Sequence, residues 1–498
     1  MTAIGWRHAS GMARLEKLSQ GGVTVRKINL PGMLLAVLLA QPVCAADLTQ
    51  VGPQASAAQI IAAAGRGGQP VLRLTFVLSG GQHDAQTGMS ADLAPDYMLI
   101  RSSGRVTLYD YKLRRVFNLN EAAHSFSNDS LYALADFRRA ESYHRRVLRD
   151  MLSKLKTSSP LSDGFWDEAE LHVADTRNPA PVPERQSGPA GEVHFRYKGS
   201  EVADFTPSDQ NFTAGEAVAL RRLFMEKSML HPAAIAAMIE TGRLPKRLSF
   251  ALPPMHKKNA EVWTLQSASR LTAAYPLTPA YVAEPLVQRK ELSALSALLP
   301  VMLEAGRSNK GLRTPEQYQA AIGDALDRNA RLQAALLAFE AVEQFGERVF
   351  DCSAGQAGCH SLKEIFTEAQ KDSRAAAMLR ALEMEKSDGA KALAEMRAIP
   401  RDDVTNPYVI DDFVGNMMGA AGKRSEALPL IAGAVRGAPY VAGYYKDLGD
   451  LFRVAFDPIP AWTCYDLGRV LPGGASAPVI NSINQYEARL ASDFPQLF

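Results

Sequence analysis

Few side chains in this sequence sit at spacings that could do chemistry. Cys352 and Cys359 flank Ser-Ala-Gly-Gln-Ala-Gly, a flexible loop, with His360 next in the chain. In an oxidising compartment such a pair closes a small disulfide loop. Zinc would need further ligands, and no second cysteine pair supplies them. Cys464 stands among apolar positions and reads as a buried free thiol. Asp402-Asp403 and Asp411-Asp412 could hold calcium weakly, although acids there also favour helix N-termini. His83 and Asp84 belong to a polar loop flanked by glycine.

Longer catalytic signatures are incomplete. Leu78-Ser-Gly-Gly-Gln82 spells the signature of ATP-binding cassette ATPases, but here it ends a strand and runs into His83-Asp84-Ala85. Gly422-Lys423 is followed by Arg424, and Met417 stands where a phosphate-binding loop needs glycine. HExxH, GxSxG and CxxC are absent. Nucleophile, base and oxyanion donors never assemble in a recognisable spacing. The reading is a non-enzymatic protein with no catalytic residues, no metal and no cofactor.

The N-terminus sets the compartment. Arg26-Lys27 is a short positive region, Ile28–Leu39 is apolar and too short to span a bilayer, and Val43-Cys44-Ala45 ends in small residues. Residues 1–45 are therefore a secretory signal cleaved before Ala46, and the mature chain is periplasmic in a Gram-negative bacterium. Val23 is a candidate start, since a signal does not need the preceding 22 residues. Gln41-Pro42-Val43 does not fit the pattern before a lipidated cysteine, so anchoring through Cys44 is not expected. No other stretch predicts a transmembrane segment. The 498-residue chain is 47% hydrophobic and 22% charged, as a soluble protein with a sizeable core would be. Removing the signal leaves 50 basic against 52 acidic residues, a balance that gives nucleic acid no general purchase.

Two regions follow, 46–285 and 286–498. The first predicts an α+β domain with an antiparallel, curved sheet. A short helix covers Ala55–Ala64. Val71–Leu78, Tyr97–Arg101, Arg105–Tyr111, Arg115–Leu119, Phe165–Ala174, Glu192–Tyr197, Glu201–Phe205, Leu248–Leu252 and Val262–Ala274 read as strands. Ser130–Leu155 predicts a helix with arginines on one face, either a solvated ion-paired surface or a site for an anionic headgroup or partner. Thr213-Ala-Gly-Glu216 is a capping box opening a helix, and His231-Pro232 breaks it. No βαβ alternation appears, which argues against a doubly wound nucleotide fold.

After Pro285 strand signals vanish. Helices are predicted at Leu286–Ala305, Pro315–Val349 with an interruption near Asn329, Leu362–Lys371, Ala375–Lys386 and Ala390–Ile399. Asn406-Pro407 caps the next one. Tyr408–Val441 and Ala442–Ala475 are then two units in a 34-residue register: Gly415 recurs as Gly449, Met418 as Phe452, Ala427 as Ala461, Ile431 as Tyr465 and Ala434 as Gly468.

This register resembles the tetratricopeptide repeat (TPR). Tyr445, Leu448, Gly449, Phe452, Ala461, Tyr465 and Gly468 carry the likeness in the second unit, and Gly415, Ala427, Ala434 and Pro439 in the first. Asp411 stands where an aromatic is expected, and Pro429 falls early in a second helix. The resemblance implies an all-α TPR-like repeat domain over 286–498. Its clearest part is 408–475, and two units alone rarely bury enough surface. It also implies a groove lined by first helices that holds a protein partner in the cell envelope. By position that groove presents Asp412, Asn416, Lys446, Asp450 and Arg453. Asp96–Arg101, Gly104–Tyr111 and Val116–Asn120 are similar in pattern to the half-barrel of periplasmic lipoprotein carriers, which implies an alternative: a carrier or sensor holding a lipid or other apolar ligand in the N-terminal domain.

Overall fold

The computed structural model describes residues 51–65, 67–81, 83–154, 182–251, 260–309, 311–352, 358–474 and 477–498. Residues 1–45, read above as a signal, with Cys44 among them, and the strand expected at Phe165–Ala174 lie outside them. Two units emerge. One comprises Pro53–Arg289 with Glu487–Phe498, and the other contains Lys290–Tyr486.

The first unit is built on a curved antiparallel sheet. Its strands are β1 (Gln69–Gly80), β2 (His83–Leu93), β3 (Tyr97–Ser102), β4 (Arg105–Asp110), β5 (Arg115–Asn120), β6 (Ser125–Ser130), β7 (Glu184–Ser187), β8 (Val193–Tyr197), β9 (Ser200–Asn211), β10 (Arg243–Ala251), β11 (Ala260–Ala273) and β12 (Val282–Ala283). Their order is β12-β6-β5-β4-β3-β2-β1-β11-β10-β9-β8-β7, and among the described residues only the short β12–β6 pairing is parallel. Central β1 runs antiparallel to both neighbours, from Gln69 opposite Ala273 to Gly80 opposite Glu261, with a bulge between Thr75 and Phe76. Tight turns close the hairpins. Ser103-Gly104 and Lys198-Gly199 both hold positive φ, as two-residue turns that match strand twist require.

Among the described residues, helices α1 (Ala57–Ala64), α2 (Leu131–Lys154), α3 (Ala214–Lys227) and α4 (Pro232–Glu240) accompany the sheet. Leu220, Leu223 and Phe224 of α3 and Ile235 and Met238 of α4 join Leu74, Phe76, Phe250 and Trp263 of the sheet in one core. The Trp263 ring lies 5.6 Å from Phe76 and 5.8 Å from Phe250, and its indole N–H donates to Glu261 at 2.6 Å. Such aromatic contacts add to the burial of the rings themselves. The Thr213–Glu216 capping box forms as expected. Phe498 returns to this unit, 4.9 Å from the Tyr132 ring, and its carbonyl accepts from Arg222 at 2.6 Å.

Four strands stand outside the expected set: Glu184–Ser187, inside the stretch 178–191 read as a surface loop, is β7 and pairs with β8, Val282–Ala283 is β12 and pairs with β6, and two more are longer. His83–Leu93, read as a loop at its start, is β2, and polar Ser125–Ser130 is β6. Each is held by ladders on both sides, so pairing outweighs a weak local pattern.

The second unit is all-helical among its described residues: α5 (Leu299–Arg307), α6 (Pro315–Asp327), α7 (Arg331–Phe345), α8 (Leu362–Ala369), α9 (Ser373–Met384), α10 (Gly389–Arg397), α11 (Tyr408–Ala420), α12 (Arg424–Gly437), α13 (Ala442–Val454), α14 (Pro458–Arg469) and the start of α15 (Pro478–Asp493). Leu286–Leu295 is in short 3₁₀ turns where one continuous helix was expected. The break near Asn329 is real and separates α6 from α7.

Candidate partner-binding site

The helices pack as consecutive pairs, α6 with α7, α9 with α10, α11 with α12, and α13 with α14. Three pairs share one turn. Asn329, Gly422 and Phe456 each hold positive φ just past the first helix. The next N–H reaches back five residues, Ala330 to Ala325 at 2.8 Å, Lys423 to Met418 at 2.9 Å and Asp457 to Phe452 at 3.0 Å. This is the Schellman closure, which satisfies the last carbonyls of a helix. The last two pairs begin 34 residues apart, at Tyr408 and Ala442. Upstream the register breaks because a 3₁₀ turn, the Cys352–Cys359 loop and α8 intervene between α7 and α9.

Glycine permits the tight crossings. A Cβ on Gly449 would stand 2.4 Å from Cε1 of Tyr465 and 2.9 Å from the carbonyl of Ala461. One on Gly415 would stand 2.6 Å from Cγ1 of Ile431. Ala427 and Ala461 are wholly buried at these crossings. Pro429 is accommodated inside α12.

The five residues expected to line a groove lie on α11 and α13. Asp412 and Lys446 occupy the same register position, as do Asn416 and Asp450. The second pair is internally neutralised. Lys446 Nζ donates to Asp450 at 2.5 Å, Arg453 Nη2 donates to Asp450 at 3.2 Å, and the Tyr465 hydroxyl donates to it at 2.6 Å. Burial would raise the Asp450 carboxyl, but Lys446 and Arg453 outweigh it and hold it well below the usual range. Burial would lower the Lys446 ammonium, but Asp450 and Asp447 hold it above its ordinary value.

The first pair is not neutralised in this way. Asn416 Nδ2 bridges two carboxylates, donating to Asp412 at 3.1 Å and to Asp447 at 2.9 Å. Asp412 is only 4% exposed, and its Oδ1 has no hydrogen-bond donor. Burial, then the charges of Asp447 and Glu343, push its carboxyl well above the ordinary aspartate range, against the pull of Lys446. Buried Tyr444 lies in the same electrostatic neighbourhood, raised by burial and by Glu340, Asp412, Tyr408 and Glu343.

Glu340 of α7 anchors the adjoining polar network. It accepts from Tyr318 at 2.6 Å, from Tyr408 at 2.8 Å and from Asn406 at 3.2 Å. Asn406 is thus spent inside the network, and α11 begins without a side-chain cap. Sequence reasoning missed Glu340, Glu343, Tyr444 and Asp447. An acid within the apolar run Leu336-Leu-Ala-Phe-Glu340-Ala was a visible sign of a buried partner.

Cys352 and Cys359 form a disulfide, and Cys464 is a buried free thiol whose pKa burial drives up. The aspartate pairs considered for calcium are engaged: Asp403 with Arg374 and Asp411 with Arg401. Among the described residues no cluster of His, Cys, Asp and Glu could hold a metal, and no helix is long and apolar enough to cross a membrane. Set against protein-family models, curated proteins and solved structures, the chain matches none.

Proposed function

We propose that this is an exported, non-enzymatic envelope protein whose TPR-like helix pairs bind a protein partner. The observation that carries this reading is the repeated pair at 408–437 and 442–469, with its shared turns and glycine crossings and its polar cluster on the first helices. Repeated helix pairs of this kind serve as scaffolds for extended binding surfaces. The Cys352–Cys359 disulfide supports an oxidising compartment such as the periplasm.

Photo-crosslinking in cells tests it. A photoreactive residue at half-buried Asn416 should capture one defined protein, while one at exposed Ser425 on α12 should not. Equal capture at both positions, or none at Asn416, would refute the reading. N-terminal sequencing of the mature protein should begin at Ala46.

A second reading keeps the sheet unit as a carrier or sensor of an apolar ligand. It is favoured by the curved antiparallel sheet and by the order of β3 to β6, consecutive hairpins as the half-barrel resemblance expects. Native mass spectrometry of protein taken from the periplasm would show an acyl-chain adduct, and a bare mass would count against it.

A further inference from the structure

Helix α2 takes no part in the partner-binding reading. It begins inside the sheet unit, where Leu131, Tyr132 and Ala135 are buried and the helix packs on β5 and β6. From Phe137 onward its character changes. Among the described side chains from there to Met151, only Ala140 and Ser142 are buried. Phe137 is 49% exposed, Tyr143 39% and Met151 56%. Phe137, His144 and Met151 follow at steps of seven residues. Each step is close to two helical turns, so the three share one face along about 21 Å of helix. The Tyr143 ring adjoins that of His144, with centroids 6.1 Å apart.

Single apolar side chains on a surface are ordinary. Here they stand beside a cationic excess. The helix carries six Arg and Lys residues against three Asp and Glu. Arg139 meets Asp136 at 3.0 Å, but Arg138 and Arg145 both turn to the one Glu141 carboxylate, at 3.6 and 2.6 Å. Two guanidinium groups around a single acid leave positive charge at the edge of the apolar stripe. Partly exposed pairs of this kind contribute little to stability and can be exchanged for other partners. The helix is also too polar to cross a membrane. An apolar stripe edged by arginine on such a helix is the pattern of one that lies in a membrane interface.

We propose that α2 docks on the surface of an anionic phospholipid bilayer. Phe137 and Met151 enter the boundary between headgroups and acyl chains. Tyr143, on the flank of the stripe, sits at headgroup level, where its ring is covered and its hydroxyl stays hydrated. Arg138 and Arg145 exchange their shared carboxylate for lipid phosphates, which planar guanidinium groups bind through paired hydrogen bonds. The buried first turn fixes the helix to the sheet, so the stripe is presented already formed. This surface belongs to the sheet unit and does not depend on the helix pairs binding a protein.

The test is flotation of the mature chain, from Ala46 onward, with vesicles of phosphatidylcholine alone or containing about one-third phosphatidylglycerol. Binding should be about tenfold stronger to the anionic vesicles and should weaken as salt is raised. Phe137→Ser combined with Met151→Ser should reduce binding to the anionic vesicles about tenfold. Arg138→Gln combined with Arg145→Gln should remove most of the preference for phosphatidylglycerol. Near-ultraviolet circular dichroism checks that both variants keep the native fold. Equal binding to the two kinds of vesicle, or unchanged binding in either folded variant, overturns the proposal. Light scattering supplies a further outcome. A dimer of the wild-type chain that Phe137→Ser with Met151→Ser abolishes, with vesicles left unbound, also overturns it and assigns the face to a second copy.

Discussion

The helix pairs 408–437 and 442–469 share a length, a turn and a crossing, yet they differ in what fills the crossing and in what faces outward from the first helix. Ile431 packs on Gly415, whereas the larger Tyr465 packs on Gly449 and also reaches Asp450. The second pair thereby closes its own charges, with Lys446, Arg453 and Tyr465 converging on one carboxylate. The first pair leaves carboxylates facing one another. One repeat converges its donors on one carboxylate and its neighbour sets Asp412 against Asp447, on the same backbone. The fold thus sets positions, and the side chains at those positions decide how each repeat balances its charge.

The largest effects should come from the crossings. Gly449→Ala drives a methyl into Tyr465 and the Ala461 carbonyl and should cost about 3 kcal/mol, against roughly 1–2 kcal/mol for Gly415→Ala, where Ile431 can shift. Denaturant unfolding followed by Trp462 fluorescence would read both, and equal costs would erase the distinction. Asp450→Asn strands two partly buried cations and should cost about 2–3 kcal/mol. Asp412→Asn replaces a carboxyl that favours its neutral form, so below the unfolded aspartate value it should change stability by less than about 0.5 kcal/mol, and above that value it should raise stability. A severe loss in Asp412→Asn would show that its charge braces the fold.

Acidity should separate the two aspartates in opposite directions. Asp412 has a folded pKa raised above its unfolded value of 3.8, so its contribution is fully present below that value and is lost as pH rises through the folded pKa. Asp450 has a depressed folded pKa, so its contribution is present above the unfolded value and is lost as pH falls through the folded pKa. Asp412→Asn should therefore flatten the decline on the alkaline side alone, as judged by urea midpoints across pH. The smallest effect concerns the turn. Phe456 holds φ 63°, where its counterpart is Gly422, so Phe456→Gly should gain about 0.5 kcal/mol from relief of left-handed strain. Gly422→Ala should lose about 1 kcal/mol for the same reason.

Periodic and local signals were the legible ones. The 34-residue register, the close-packing glycines and the capping box at Thr213 were written in nearby residues. Long-range pairing was not. Strand β6 contains Phe126 as its one large apolar residue, and only β5 and β12 alongside make it a strand. The site divided along the same line. Positions 412, 416, 446, 450 and 453 could be placed by register, but a register cannot show that Lys446 and Asp450 spend their charges on each other. Glu343 and Asp447 come from different helices, and their meeting with Asp412 is a product of packing.

The grouping of Glu487–Phe498 with the sheet unit sets an order of synthesis. A ribosome delivers the described strands first and then Lys290–Tyr486. Only afterwards does it deliver the residues that set Phe498 against Tyr132 and below the Arg114 guanidinium, 5.1 Å away. The first-made half of the protein is thus completed by residues made after the helical unit, so its apolar wall closes only when both stretches of chain are present.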